Sequence, residues 1–125
     1  MTHQHPLQPA RANTILYCAA WAATVAFYRD RLALPVTFAN DWFVEFQLND
    51  GARLSIADAS RATVPAVAGQ GITLAWQVAS LAAARAALLA AGVTTTAPQR
   101  RWGAWVCYCY DPEGHRIELW EDAPA

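Results

Sequence analysis

Apolar and polar residues alternate through most of this chain, and helical spacing replaces the alternation in two stretches. The run 13–18, Asn-Thr-Ile-Leu-Tyr-Cys, is β-prone. Between 20 and 34, Trp21, Val25, Tyr28 and Leu32 recur at helical spacing, and Phe27 and Leu34 widen the stripe. Pro35 ends that helix, because the residue before a proline avoids helical backbone. A short strand over 36–38 and an Asn40-Asp41 turn come next. Over 42–48, Val44, Phe46 and Leu48 alternate with Glu45 and Gln47. Asn49-Asp50-Gly51 predicts a hairpin closing on 52–58, where Leu54 and Ile56 alternate with Arg53 and Ser55. The order is strand, helix, strand, strand, strand.

The same order then repeats. A polar stretch containing Ala and Pro, 59–70, reads as a linker. A strand over 71–78 leads to Ser80, which caps an Ala-rich helix over 81–91 that ends at Gly92. A short strand over 93–97, ending near Pro98, and a loop over 99–103 precede the last hairpin. Asp111-Pro112-Glu113-Gly114 predicts a type I turn closed by a left-handed glycine. A three-residue loop sets Tyr108 opposite Glu118 and Tyr110 opposite Arg116. Residues 15–18 align with 75–78, and 27–29 with 87–89. The expected organisation is one domain: a disordered tail over 1–11, a βαβββ unit over 12–58, the linker, and a second unit over 71–121.

Composition narrows the function classes. The chain has 125 residues, enough for a core. At 55% hydrophobic and 15% charged it is apolar, which predicts further burial in an oligomer. A net charge of −1 without a run of one sign argues against nucleic-acid binding. No apolar run reaches the ~18 residues of a membrane span. The N-terminal stretch, with His3 and His5, lacks the apolar centre of a signal peptide. Three cysteines without a CxxC spacing predict neither a disulfide framework nor a zinc site, and fit a reducing cytoplasm. Cys107 and Cys109 read as small core residues. His115, at the end of the turn, reads as exposed.

The repeated unit resembles the vicinal oxygen chelate superfamily, which includes glyoxalase I, extradiol dioxygenases, fosfomycin resistance enzymes and bleomycin-binding proteins. The carrying residues are Leu16-Tyr17, Ala26-Phe27-Tyr28-Arg29-Asp30-Arg31-Leu32, Ala90-Ala91-Gly92-Val93, Trp102-Gly103 and Asp111-Pro112-Glu113-Gly114-His115-Arg116-Ile117-Glu118-Leu119. The resemblance covers 13–121. It implies an α+β fold: two βαβββ units forming a cupped mixed β-sheet with helices on the outer face. It also implies a homodimer. Where members hold a metal, its ligands come from the first and last strands of each unit, and these positions fall on Asn13, Ser55, Thr73 and Glu118. Metal-dependent members carry His, Gln or Glu there, and only Glu118 matches. A transition metal takes at least three ligands from His, Glu, Asp or Cys, whereas amide and hydroxyl oxygens suit hard cations at best. The expectation is therefore no cofactor, with a divalent metal at Glu118 as the alternative.

If Asn13 faces the cup, alternation brings Ile15 and Tyr17 with it. Ser55 brings Arg53, and Thr73 brings Gln77. Glu118 adds Tyr108, and Tyr110 follows two residues on. The opposite faces, from Leu16 and Cys18 to Ile117 and Leu119, are apolar and pack under the helices. Trp42, Trp102 and Trp105 fall at rims, where Arg100-Arg101-Trp102 can stack on a planar or anionic ligand. The expected ligand-binding set is Asn13, Tyr17, Arg53, Ser55, Thr73, Gln77, Trp102 and Tyr110. Three functions follow. The first is a binding protein holding a small aromatic molecule in a polar-aromatic cup; bleomycin-binding members look strongly acidic, and this chain departs from them. The second is a lyase, isomerase or dioxygenase with a degenerate or displaced metal site around Glu118, or a metal-free acid–base enzyme in which Glu118 and Tyr108 are the catalytic proton-transfer pair. The third, resting on the apolar composition alone, is a structural or partner-binding module. A structural alternative pairs Glu118 with Arg53 or Arg116. Neither nucleic acid nor membrane is expected as a partner.

Overall fold

The first alternating run forms β1 (Ala12–Cys18) in the computed structural model, which describes residues 5–123. His3 and the start of the expected tail lie outside the described residues. A helix follows as α1 (Trp21–Ala26), continuing as a π-helical segment (Phe27–Arg31). Then come β2 (Val36–Ala39), β3 (Phe43–Asn49) and β4 (Ala52–Asp58). A 3₁₀ turn (Ala59–Arg61) opens the connection to the repeat. The repeat comprises β5 (Thr73–Gln77), α2 (Leu81–Ala90), β6 (Gln99–Arg101), β7 (Ala104–Tyr110) and β8 (Arg116–Asp122).

Each unit forms a four-stranded mixed sheet, in the orders β1-β4-β3-β2 and β5-β8-β7-β6. First and last strands of a unit run parallel; the others pair antiparallel. This is the α+β architecture of the cupped βαβββ fold. Alternation sends Leu16, Cys18, Leu54 and Ile56 of the first sheet, and Leu74, Cys107, Ile117 and Leu119 of the second, into one hydrophobic cluster with Tyr28 and Leu88. Burying each large apolar side chain contributes roughly 1.5–3 kcal/mol, and this cluster joins the units. Among the described residues no helix is long and apolar enough to cross a membrane.

Five local expectations are corrected. The helix ends in π geometry, with Leu32 N–H bonding Phe27 C=O, so Tyr28 and Arg31 sit differently from a regular helical stripe. No strand forms over 93–97: Thr96 pairs with the Tyr108 backbone through its own N–H and hydroxyl, and Pro98 follows. Pairing resumes in β6, within the expected loop, because Trp102 and Gly103 form a two-residue turn with φ of 48° and 76° between Arg101 and Ala104. The last hairpin has five residues between the paired Tyr110 and Arg116, not three, and it keeps the expected partners.

The fifth correction is His115, which is 4% exposed rather than solvated. Its Nδ1 lies 2.8 Å from Asp111 Oδ2, to which the Tyr28 hydroxyl also donates, at 2.7 Å. Asp111 Oδ1 accepts the backbone N–H groups of Glu113, Gly114 and His115. Burial alone would raise the Asp111 pKa; the bonds from His115 and Tyr28 outweigh it and hold the carboxyl below its ordinary value. Burial, and then the charge of Asp111, push the Tyr28 phenol up. Glu113 accepts the N–H groups of Ala19 and Ala20 at the start of α1. Arg31 returns the contact by donating to the carbonyls of Ala91 and Gly92 after α2. The hairpin turn of the second unit thus grips the helix of the first.

Candidate functional site

The sheet faces turned away from the core form two matching grids, set by strand register. In the second unit the central row reads Ala75, Glu118, Tyr108. Thr73, Arg116 and Tyr110 flank it on one side, and Gln77, Trp120 and Val106 on the other. In the first unit the matching rows are Ile15, Ser55, Glu45; Asn13, Arg53, Gln47; and Tyr17, Ala57, Phe43. Ser55 therefore occupies the position of Glu118, Asn13 that of Thr73, and Arg53 that of Arg116. Every candidate read by alternation lies on these faces, as register requires.

Their bonding differs between the units. Ser55 is fully buried and donates to the Asn13 side-chain oxygen at 2.8 Å. Arg53, only 9% exposed, donates through Nη1 to the carbonyls of Asn49 and Ala52, while its Nε lacks a hydrogen bond and stands 4.0 Å from Glu45. Arg116 donates to the Thr73 hydroxyl at 2.9 Å, and its guanidinium lies 4.7 Å from the centre of the Tyr108 ring. Gln77 donates weakly to Asp122 at 3.3 Å. Both arginines that might have neutralised Glu118 are thus engaged elsewhere. Glu118 makes no hydrogen bond or ion pair among the described residues, although it is half-buried. No hydrogen bond joins it to the Tyr108 hydroxyl, so the pair does not form a preset proton relay.

Glu118 opens into a depression of about 190 Å3 walled by Tyr108, Val106, Trp120, Trp102 and Arg101. Trp102 is 98% exposed at the β6–β7 turn and stands at its rim. A separate depression of about 290 Å3 on the first unit is lined by Ile15, Tyr17, Trp42, Phe43 and Arg61. Neither contains a residue of the other unit. Of the four corresponding positions only Glu118 lines either depression; Asn13, Ser55 and Thr73 line neither. A larger cleft, about 730 Å3, lies on the seam between the units and meets the concave face through Tyr108 and Tyr110. Trp120 was missed in the sequence; its period-two spacing from Glu118 was the available signal.

The four positions that correspond to metal ligands do not fit a divalent transition metal. Asn13 oxygen is occupied by Ser55, Thr73 oxygen by a guanidinium, and Glu118 is the sole anionic donor. No group of three or more His, Cys, Asp or Glu side chains converges among the described residues. The thiols offer nothing in their place. All three are buried in the core, and burial first of all pushes Cys18 up to about 12, Cys109 up to about 11, and Cys107 upward.

Comparison with known proteins agrees with this architecture. Residues 13–120 match the family model of the glyoxalase-like domain. A glyoxalase/bleomycin resistance protein/dioxygenase from Nocardioides superposes with a TM-score of 0.79 at 23% identity, over 99% of this chain and 88% of that one. Lactoylglutathione lyase from Agrobacterium tumefaciens gives 0.72 at 26% identity, over 90% of this chain and 92% of that one. An antibiotic-binding protein of a Streptomyces species gives 0.75 at 16% identity, over 98% and 99%. No curated protein matches in sequence. The chain belongs to the glyoxalase-like domain family, within the vicinal oxygen chelate superfamily.

Proposed function

We propose that this protein binds a small aromatic molecule on the concave face of its second unit and needs no metal to do so. The carrying observation is Glu118: a half-buried carboxylate without a partner among the described residues, lining a depression together with Trp102, Trp120 and Tyr108. Aromatic walls stack on a planar ligand, and the carboxylate supplies one directional anchor. Tyr110, Gln77 and Thr73 extend that face. A structural neighbour described as an antibiotic-binding protein supports this use of the fold. A lyase or dioxygenase mechanism would need a metal that Asn13, Ser55 and Thr73 are poor ligands for.

The depression is shallow for a whole ligand. A homodimer supplies the missing wall by setting the first-unit face of one copy, with Asn13, Ile15 and Tyr17, against the second-unit face of its partner. The unpaired outer edges of β1 and β5, and the exposed Ile15 and Ile72, fit such a contact. The three free thiols are compatible with a reducing cytoplasm. Titrating a panel of planar drugs against the intrinsic tryptophan fluorescence tests the binding claim: saturable quenching is expected from at least one, and none from any would end it. Light scattering tests the dimer, which a monomer at micromolar concentration would contradict.

A further inference from the structure

On the helix side of the second sheet lies a second cleft, of about 240 Å3. Leu34 from the segment after the first helix, Trp76 and Ile117 from the sheet, and Ala84 and Ala87 from α2 form its walls. The space exists because α2 presents alanines at 84 and 87, where leucine side chains would reach the sheet. Arg31 is the only charged side chain in the wall. Its Nη1 is held by the carbonyls of Ala91 and Gly92, at 3.1 and 3.2 Å. It has no carboxylate within ion-pair distance among the described residues, since neighbouring Asp30 pairs with Arg29. Arg31 also borders the large seam cleft, where the buried Thr95 hydroxyl lacks a hydrogen-bond partner.

We propose that this cleft is a second small-molecule site, separate from the concave face, which takes an apolar monocarboxylate. The hydrocarbon part fills the space beside Trp76, and the carboxylate pairs with Arg31. An apolar cavity favours a hydrocarbon guest, and a guanidinium at its mouth selects a planar carboxylate that it engages through two N–H donors. Of the lining residues only Arg31 distinguishes an acid from its neutral analogue, so the preference resides in one side chain.

The probe is 2-naphthoate, followed by amide and indole chemical shifts of the full-length protein, with 2-naphthalenemethanol as its neutral counterpart. Saturable shifts are expected at Trp76 and along α2, with the alcohol weaker by about tenfold. Ala87→Leu should abolish naphthoate binding and raise the melting temperature, because the new side chain occupies the cleft; Ala84→Ile serves if that variant does not fold. Arg31→Gln should bring acid and alcohol to within about twofold of each other. The proposal is overturned by shifts confined to the Tyr108, Glu118 and Trp120 face, by equal binding of acid and alcohol in the wild type, by no saturation at millimolar probe, or by undiminished binding in the cavity-filling variants.

Discussion

Replacing Asp111 with alanine removes the one group that ties turn, core and first unit together. Its carboxylate accepts five hydrogen bonds: from the Tyr28 hydroxyl, from His115 Nδ1, and from three backbone N–H groups. A bond to a charged acceptor is worth about 1.5–3 kcal/mol, but bonds sharing one acceptor do not add. The substitution also strands the fully buried Tyr28 hydroxyl, at a cost of about 1–3 kcal/mol. Breaking a buried charged network of this kind costs about 3–5 kcal/mol in total, a large share of the ~5–15 kcal/mol that hold a domain folded. Tyr28→Phe removes one bond and leaves four, so its loss should be about 1–2 kcal/mol. Urea unfolding followed by circular dichroism gives both values. A loss below ~1 kcal/mol for Asp111→Ala, with an unchanged dependence on urea, would refute the view that the turn clamps the units.

The remaining predictions test other parts of the structure. Because the Asp111 carboxyl is held below its ordinary pKa, its contribution is present above the unfolded value of about 4 and lost as pH falls through the folded value. Urea melts at pH 7 and pH 3 should show that loss, and Asp111→Asn should reduce it; an unchanged acid limb in the variant contradicts the assignment. Cys18, Cys107 and Cys109 should resist a thiol reagent in the native protein at pH 8 and all react after unfolding; rapid native labelling would contradict their burial and raised pKa values. Adding zinc or manganese to chelator-treated protein should leave the melting temperature unchanged; a saturable rise would show a metal site that the donor set does not account for.

The sequence carried the repeat and the two faces of each sheet well, because both depend on local alternation. The strand over 52–58 has the expected bounds, and Glu118 lies opposite Tyr108 as the hairpin pattern required. What alternation does not convey is which distant groups meet. Tyr28 and Asp111 are 83 residues apart, and their bond, with His115 buried beside it, has no local signature. The strand β6 was hidden because its turn holds Trp102 in left-handed backbone, where a bulky residue is rare. The most telling discrepancy concerns the motifs themselves. Tyr28, Arg31, Asp111 and Glu113, which carried the family resemblance, build the contact between units; the depression proposed as the ligand face is walled by residues outside that contact, such as Trp102, Tyr108 and Trp120.

The central claim is that the Glu118 face holds an aromatic ligand without metal. The measurement that tests it most directly is fluorescence titration of chelator-treated protein with the tightest planar quencher, comparing the wild type with Trp102→Ala and Glu118→Gln. The account predicts saturable quenching that survives the chelator and weakens by about tenfold in each variant. Quenching that appears only after metal is restored, or that is the same in all three proteins, would contradict it.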